Sequence, residues 1–212
     1  MTTADLIEAL AGDAAPTPPI AAGRRVALAV LAGASVAFAV LLVWLGLRPL
    51  GDAVMSASFW MKGAYTATLA LAGLLLVGRL ARPGARPGTW PAVAIAAVAV
   101  MAALAALELI RARPGEIPAL WLGQTWNQCP FRIVALAVPI FVGVVWVLRG
   151  LAPTRLTLTG AAAGLLAGAA GATVYGLYCQ ETTAAFVATW YTLGIAACAA
   201  LGAAAGRWLL RW

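Results

Sequence analysis

Six long apolar runs constrain this chain more than any other feature of its sequence. An α-helix rises about 1.5 Å per residue, so roughly 20 apolar residues cross the hydrocarbon core of a bilayer. Charged residues make up only 10% of the chain, far below the share in a soluble domain. We therefore predict an all-α membrane protein, a bundle of six transmembrane helices. The predicted spans are 26–47, 59–79, 90–110, 130–150, 157–178 and 184–206.

The distribution of arginine and lysine predicts the orientation of this bundle. Nine of the 14 positive residues fall on the side of the N-terminus and five on the other, so both termini are expected in the cytoplasm. The excess of arginine over lysine is typical of a GC-rich bacterial genome. We expect a multi-pass protein of the bacterial inner membrane, surrounded by membrane lipids. Because the basic residues lie at the ends of apolar runs, no direct nucleic-acid binding is predicted.

Rows of small residues predict how the last two spans pack. The fifth span carries glycines at four-residue spacing, and the sixth carries a matching row that includes one cysteine. Such rows let helix backbones approach closely in lipid. We interpret Cys198 as a small packing residue of its row. The two rows are Gly160, Gly164 and Gly168, and Gly194, Cys198, Gly202 and Gly206.

The other two cysteines, Cys129 and Cys179, fall at adjoining ends of consecutive antiparallel spans, on the periplasmic side in the predicted orientation. Two thiols at one depth in an oxidising compartment could form a disulfide. Reduced, they could bind a soft or borderline metal ion such as zinc, cadmium or copper, with Glu181 as a third ligand. The alternative is two unrelated buried cysteines. No obligatory cofactor is predicted.

The residue types that are missing argue against catalysis. The chain has no histidine, and no acidic residue falls at the middle of a predicted span. Acid–base chemistry by imidazole and an obvious proton or ion path are therefore absent, and we predict no enzyme. A thiol oxidoreductase would need a closely spaced Cys-x-x-Cys pair, which the sequence lacks. A small metal or solute transporter or exporter stays the alternative function. Lys62 and Glu108 are interpreted as an ordinary ion pair at the membrane boundary.

The N-terminus carries the most informative water-facing segment. Residues 1–22 are predicted to form a cytoplasmic partner-binding segment with a proline-rich spacer, ahead of a six-helix transmembrane domain, residues 23–212. Thr2 and Asp5 have the spacing of a capping box for a short helix. A helix this short is not stable alone in water, and its acidic residues disfavour anionic lipid, so we expect a protein partner. The predicted partner-binding residues are Asp5, Leu6, Ile7, Glu8 and Leu10.

Several short motifs, in one order along the six spans, resemble a known family over nearly the whole chain. They are Asp5-Leu6-Ile7-Glu8-Ala9-Leu10, Trp126 with Cys129, Arg149 through Ala152-Pro153-Thr154, Tyr175 through Cys179 with Glu181, Trp190-Tyr191 with Gly194, and Leu210-Arg211-Trp212. The family is that of the NrsF-type membrane anti-sigma factors, negative regulators of an extracytoplasmic-function (ECF) sigma factor. The resemblance implies that the N-terminal segment holds an ECF sigma factor inactive at the membrane. It also implies that Cys129 and Cys179 sense metal or oxidative stress and trigger release; Cys198 has no place in this pattern.

Overall fold

The chain folds into helices joined by turns. The computed structural model describes residues 2–12 and 19–211, and within these ranges it contains no β-strand. In chain order the helices are α1 (Thr3–Gly12), α2 (Pro19–Trp44), α3 (Leu50–Ala53), α4 (Ala57–Leu80), α5 (Trp90–Arg111), α6 (Ile117–Leu122), α7 (Cys129–Arg149), α8 (Leu156–Tyr175), α9 (Ala184–Phe186) and α10 (Thr192–Leu209). A π-helical turn, Val187–Tyr191, joins α9 to α10, so the last two form one helical stretch.

Six helical stretches among the described residues are long and apolar enough to cross a membrane. They are the α2 residues from Ala22 onward, α4, α5, α7, α8 and the stretch Ala184–Leu209. The predicted all-helical class and the six helices of spanning length are confirmed. Successive spans alternate in direction, so the bundle has two ends. We call the end with loops 81–89 and 150–155 the terminal end, and the end with loops 45–56, 112–128 and 176–183 the thiol end.

The helix boundaries differ from the predicted ones at four places. Helix α2 begins at Pro19, so the predicted boundary between residues 22 and 23 falls inside a helix. Proline suits a first helical turn because its missing amide would have no partner there. The same helix ends at Trp44 instead of 47, shortly before Gly46 at φ +80°. Helix α8 ends at Tyr175 instead of 178, and α10 continues past 206 to Leu209. Residues 13–18 of the predicted spacer lie outside the described residues.

Helix α8 lies at the centre of the bundle and packs against α4, α7 and α10. Two thirds of its span (67%) is buried within the protein, against 11% for α5 at the edge. Helix α8 is rich in glycine and alanine, which lets three neighbours approach it at once. The thiol end is therefore assembled around the end of one central helix.

The α8–α10 contact is a backbone-to-backbone one, as the two glycine rows predicted. A Cβ atom at Gly164 would overlap the Cys198 carbonyl and lie 2.9 Å from the Ala199 Cα. A Cβ at Gly206 would lie 2.6 Å from the Leu156 carbonyl oxygen. The Cys198 side chain itself packs on Gly168, where a Cβ would meet its Sγ at 3.1 Å. The prediction that Cys198 is a packing residue is confirmed.

Candidate functional site

The structure brings the two predicted cysteines together at the thiol end. Cys129 is the first residue of α7, and Cys179 lies in the turn after α8, where its amide donates to the Tyr175 carbonyl at 3.0 Å. Both thiols are free, and both side chains are buried, with 0% and 1% exposure. We call Cys129 and Cys179 the thiol pair.

Two buried tyrosines complete the surroundings of the thiol pair, and sequence reasoning missed their role. The Tyr175 and Tyr191 rings lie 5.7 Å apart between centroids, both with 0% exposure. The Tyr175 hydroxyl lies beside Cys129 and the Tyr191 hydroxyl beside Cys179. Neither hydroxyl completes a hydrogen bond. A buried polar group without a partner costs free energy, so these hydroxyls are available to bond a sulfur that gains charge or oxygen.

The π-helical turn positions Tyr191. It inserts an extra residue into the turn ahead of α10, and such insertions are frequent at functional sites. Tyr191 is thereby packed against Tyr175 on α8 and Phe186 on α9. No sequence signal marks a π-turn here, because the residues around it read as continuous α-helix.

Glu181 links the segments that carry the two cysteines. Its carboxylate Oε1 accepts hydrogen bonds from the Gln124 amide at 2.7 Å and from the Thr125 amide and hydroxyl at 3.1 Å each. The Thr125 carbonyl in turn accepts from the Cys129 amide at 2.9 Å. Gly123 leaves room for this contact, since a Cβ there would lie 2.5 Å from Glu181 Oε2, and its φ of +57° favours glycine. Glu181 thus holds the start of α7 against the turn after α8.

Lys62 ties the same turn to α4. Its ammonium, 2% exposed, donates to the carbonyl oxygens of Cys179 at 3.0 Å and Glu181 at 2.5 Å. Backbone carbonyl oxygens carry partial negative charge, and charge-assisted hydrogen bonds to two of them stabilise the buried ammonium. Glu108 instead accepts from the Ala185 amide at 2.8 Å. The predicted ion pair between Lys62 and Glu108 is therefore wrong, because each charge is satisfied by backbone.

The donor set at the thiol pair does not match a resident zinc ion. Among the described residues, no three His, Cys, Asp or Glu side chains come together as metal ligands. The Glu181 carboxylate faces the 124–125 loop and is not brought into one ligand set with both thiols. Structural zinc takes four protein ligands, whereas two thiolates alone suit a soft ion of low coordination number.

Helix α1 presents the predicted partner-binding residues to solvent. The Thr2 amide donates to Asp5 Oδ2 at 2.7 Å, and the Asp5 amide donates to Thr2 Oγ1 at 3.3 Å, so the capping box is confirmed. These bonds lower the pKa of the Asp5 carboxyl. Leu6 and Ile7 are 43% and 63% exposed, and Glu8 is exposed as well. Leu10 belongs to the helix, but its side chain lies outside the described residues.

Comparison with known proteins places the chain in a family. The sequence profile of the family described as "Negative regulator of sigma F" (NrsF) matches residues 10–212. The anti-sigma-F factor NrsF of Caulobacter vibrioides is 45% identical over 222 residues, covering all of both chains. A probable anti-sigma-F factor NrsF of Azospira oryzae is 44% identical over 213 residues, again covering all of both. No solved structure matches. This chain belongs to the NrsF family of negative regulators of sigma F.

Proposed function

We propose that this chain is a membrane anti-sigma factor, with both termini in the cytoplasm, that binds an ECF sigma factor through α1. Full-length relatives that carry the name anti-sigma-F factor support the class of activity. Six helices of spanning length and the excess of positive charge at the terminal end support the inner membrane and the orientation. The proposed role is regulatory, not catalytic.

The observation that carries the partner-binding role is the exposed apolar stripe of α1. A ten-residue helix with a satisfied N-terminal cap exposes Leu6 and Ile7. Helices of this length need tertiary contacts to be stable, and apolar residues three or four positions apart, as Leu6 and Leu10 are, are the usual anchors of a helix in a partner's groove. The acidic residues Asp5 and Glu8 favour a basic surface on the partner over an anionic bilayer.

We further propose that the thiol pair releases the sigma factor under metal or oxidative stress. An oxidant of the peroxide class would take two electrons and two protons from the Cys129 and Cys179 thiols, forming a disulfide and reduced oxidant. A soft metal ion would instead displace both thiol protons and bridge the two sulfurs. Either change alters the distance between the start of α7 and the turn after α8, which Glu181 and Lys62 hold to each other and to α4.

Co-purification tests the partner role. Full-length protein from native membranes is compared with a Leu6→Ala/Ile7→Ala variant and with Ala4→Ser, which changes an exposed residue outside the apolar stripe. We expect a sigma factor with the full-length protein and with Ala4→Ser, and a loss of at least about tenfold with the double variant. If the double variant retains its sigma factor, α1 is not the docking segment. If no variant recovers one, the anti-sigma proposal fails and the transporter alternative gains ground.

Separate cysteine variants test the sensing role. Cys129→Ser and Cys179→Ser are expected to retain the sigma factor when cells meet cadmium or peroxide, whereas Cys198→Ser should release it normally. Cys198 is the matched control because it is also a buried free cysteine, yet it packs between α8 and α10, away from the thiol pair. Normal release by the first two variants would refute the sensing proposal while leaving the anti-sigma role intact.

A further inference from the structure

We propose that the terminal end binds the phosphate headgroup of an anionic phospholipid in a groove between α2, α4 and α5. This inference rests on the membrane location proposed above. The groove encloses about 750 Å³ and is lined by Leu74, Leu75, Gly78, Arg79, Arg82 and Arg86, with Gly23 and Trp90 at its sides. We call it the basic groove.

The first argument for this ligand is a cluster of positive charge with no acidic side chain at the same end of the bundle in residues 19–211. Arg79, Arg82 and Arg86 are all exposed at the groove and available to a ligand. The acidic residues of the transmembrane domain, at positions 52, 108, 116 and 181, all belong to the thiol end, and the remaining three lie in residues 1–13. Guanidinium groups bind phosphate oxygens through paired, charge-assisted hydrogen bonds. Three of them around one cavity therefore call for a phosphate-bearing anion.

The second argument is the order of apolar and basic lining along α4. Leu74 and Leu75 line the deeper part of the groove, and Arg79 and Arg82 follow one to two turns closer to the terminal end. This is the order of acyl chain and headgroup in a bilayer leaflet. Gly78 and Gly23 face open space, since a Cβ atom on either would meet nothing within 4 Å. That space admits an acyl chain, which a free phosphate ion would not require.

The third argument is that the fold holds in place the loop that carries two of the three arginines. The Gly84 amide donates to Thr154 Oγ1 at 3.2 Å, which fixes the 81–89 loop to the neighbouring 150–155 loop. The Arg82 amide donates to the Arg79 carbonyl at 3.1 Å, and the Arg79 guanidinium packs on Gly88, whose φ is +69°. Trp90 begins α5 beside them, at the level where tryptophan is enriched in membrane proteins. Basic pockets of this kind between membrane helices recognise anionic headgroups.

Native mass spectrometry of the full-length protein, purified in a neutral detergent, tests the assignment. Phosphatidylglycerol and phosphatidylcholine are titrated in parallel against the unmodified chain, an Arg79→Gln/Arg82→Gln/Arg86→Gln variant, and a variant that neutralises three arginines outside the groove. We expect preferential binding of phosphatidylglycerol and a loss of at least about tenfold in the groove variant. The matched control should lose less than about threefold, since it keeps the groove. The control variant is Arg149→Gln/Arg155→Gln/Arg207→Gln.

Additional variants distinguish a phospholipid from inorganic phosphate and from α1 as the occupant of the basic groove. Gly78→Leu fills the acyl-chain space but leaves every arginine, so it should weaken phosphatidylglycerol binding and not the binding of inorganic phosphate. Equal losses in the groove and control variants, or no effect of Gly78→Leu, would overturn the lipid assignment. So would a gain of lipid binding on deletion of residues 2–12, because α1 would then be the groove's occupant. Membrane fractionation of the same variants shows separately whether the proposed membrane location holds.

Discussion

Replacing Glu181 distinguishes a residue that positions the thiol pair from a residue that binds metal. In Glu181→Ala, the Gln124 amide and the Thr125 amide and hydroxyl lose their shared acceptor. Gln124 is exposed and can bond water, so most of the cost comes from the two half-buried Thr125 bonds. At about 1.5 kcal/mol for each of these half-buried bonds to a charged group, we expect the free energy of unfolding to fall by roughly 3 kcal/mol. For a chain of this size the melting temperature should drop by about 6–12 °C.

Glu181→Gln is the matched variant, because its amide oxygen keeps an acceptor at the same place. It exchanges charge-assisted bonds for neutral ones, so we expect a loss of about 1 kcal/mol. A thiol-reactive fluorescent dye reads both effects in detergent solution, since all three cysteines are buried and react only when the structure opens. In a Cys198→Ser background, the labelling rate below the melting temperature reports on Cys129 and Cys179 alone. That rate should rise in the order unmodified, Glu181→Gln, Glu181→Ala.

Two results would refute this reasoning. A melting temperature of Glu181→Ala within about 1 °C of the unmodified protein would mean that the three hydrogen bonds do not hold the two segments together. A loss of cadmium binding in both variants, without any change in labelling rate, would instead identify Glu181 as a metal ligand. That second result would support the prediction from the sequence that Glu181 is the third metal ligand.

Two other predictions follow from single contacts. Gly164→Ala forces α8 and α10 apart at the Cys198 carbonyl, so we expect a loss of roughly 2–4 kcal/mol in thermal unfolding, whereas Gly63→Ala, where a Cβ meets nothing within 4 Å, should be neutral or slightly stabilising. Equal melting temperatures for the two would contradict the close packing of α8 on α10. The pKa of Asp5 is lowered in the folded helix by Thr2, so its contribution to α1 is present above the carboxyl's unperturbed pKa of 3.8 and is lost as the pH falls below that value. The protection factor of the amides in residues 3–12, which is the intrinsic exchange rate divided by the observed one, should therefore fall in acid, and Asp5→Asn should remove that fall.

The helical architecture could be predicted because lipid-length apolar runs admit few other structures. Backbone groups in a bilayer must be satisfied internally, which leaves a helix as the solution for each run. The glycine rows likewise fixed the α8–α10 contact, since small residues at four-residue spacing make one smooth face. The ends of the helices were harder to predict. The apolar run continues past Tyr175, but α8 ends there, and the amides of residues 176–179 donate to carbonyls in the last turn of α8.

The candidate site was only partly predictable, because its polar contacts join residues far apart in the chain. The shared depth of Cys129 and Cys179 followed from the alternation of spans. Glu181 was correctly placed near them, yet proximity in sequence could not show that its carboxylate faces Thr125. Lys62 was paired with Glu108 because both fall near the same membrane boundary, although backbone carbonyls can satisfy a cation as well as a carboxylate does.

Lys62 explains why chemistry at the thiol pair would affect more than two helices. A buried cation is stable only while its partners are in place, and those partners are the carbonyls of Cys179 and Glu181. A disulfide or a metal ion at the thiol pair could displace the turn after α8, which holds these two carbonyls. Either Lys62 and α4 then move with the turn, or the Lys62 ammonium is left behind. The second course is costly, because the ammonium would stay buried without a hydrogen-bond acceptor. Arg79 of the basic groove lies 17 residues further along the same helix, about 25 Å away. The thiol pair and the terminal end are thus joined by one continuous helix, α4.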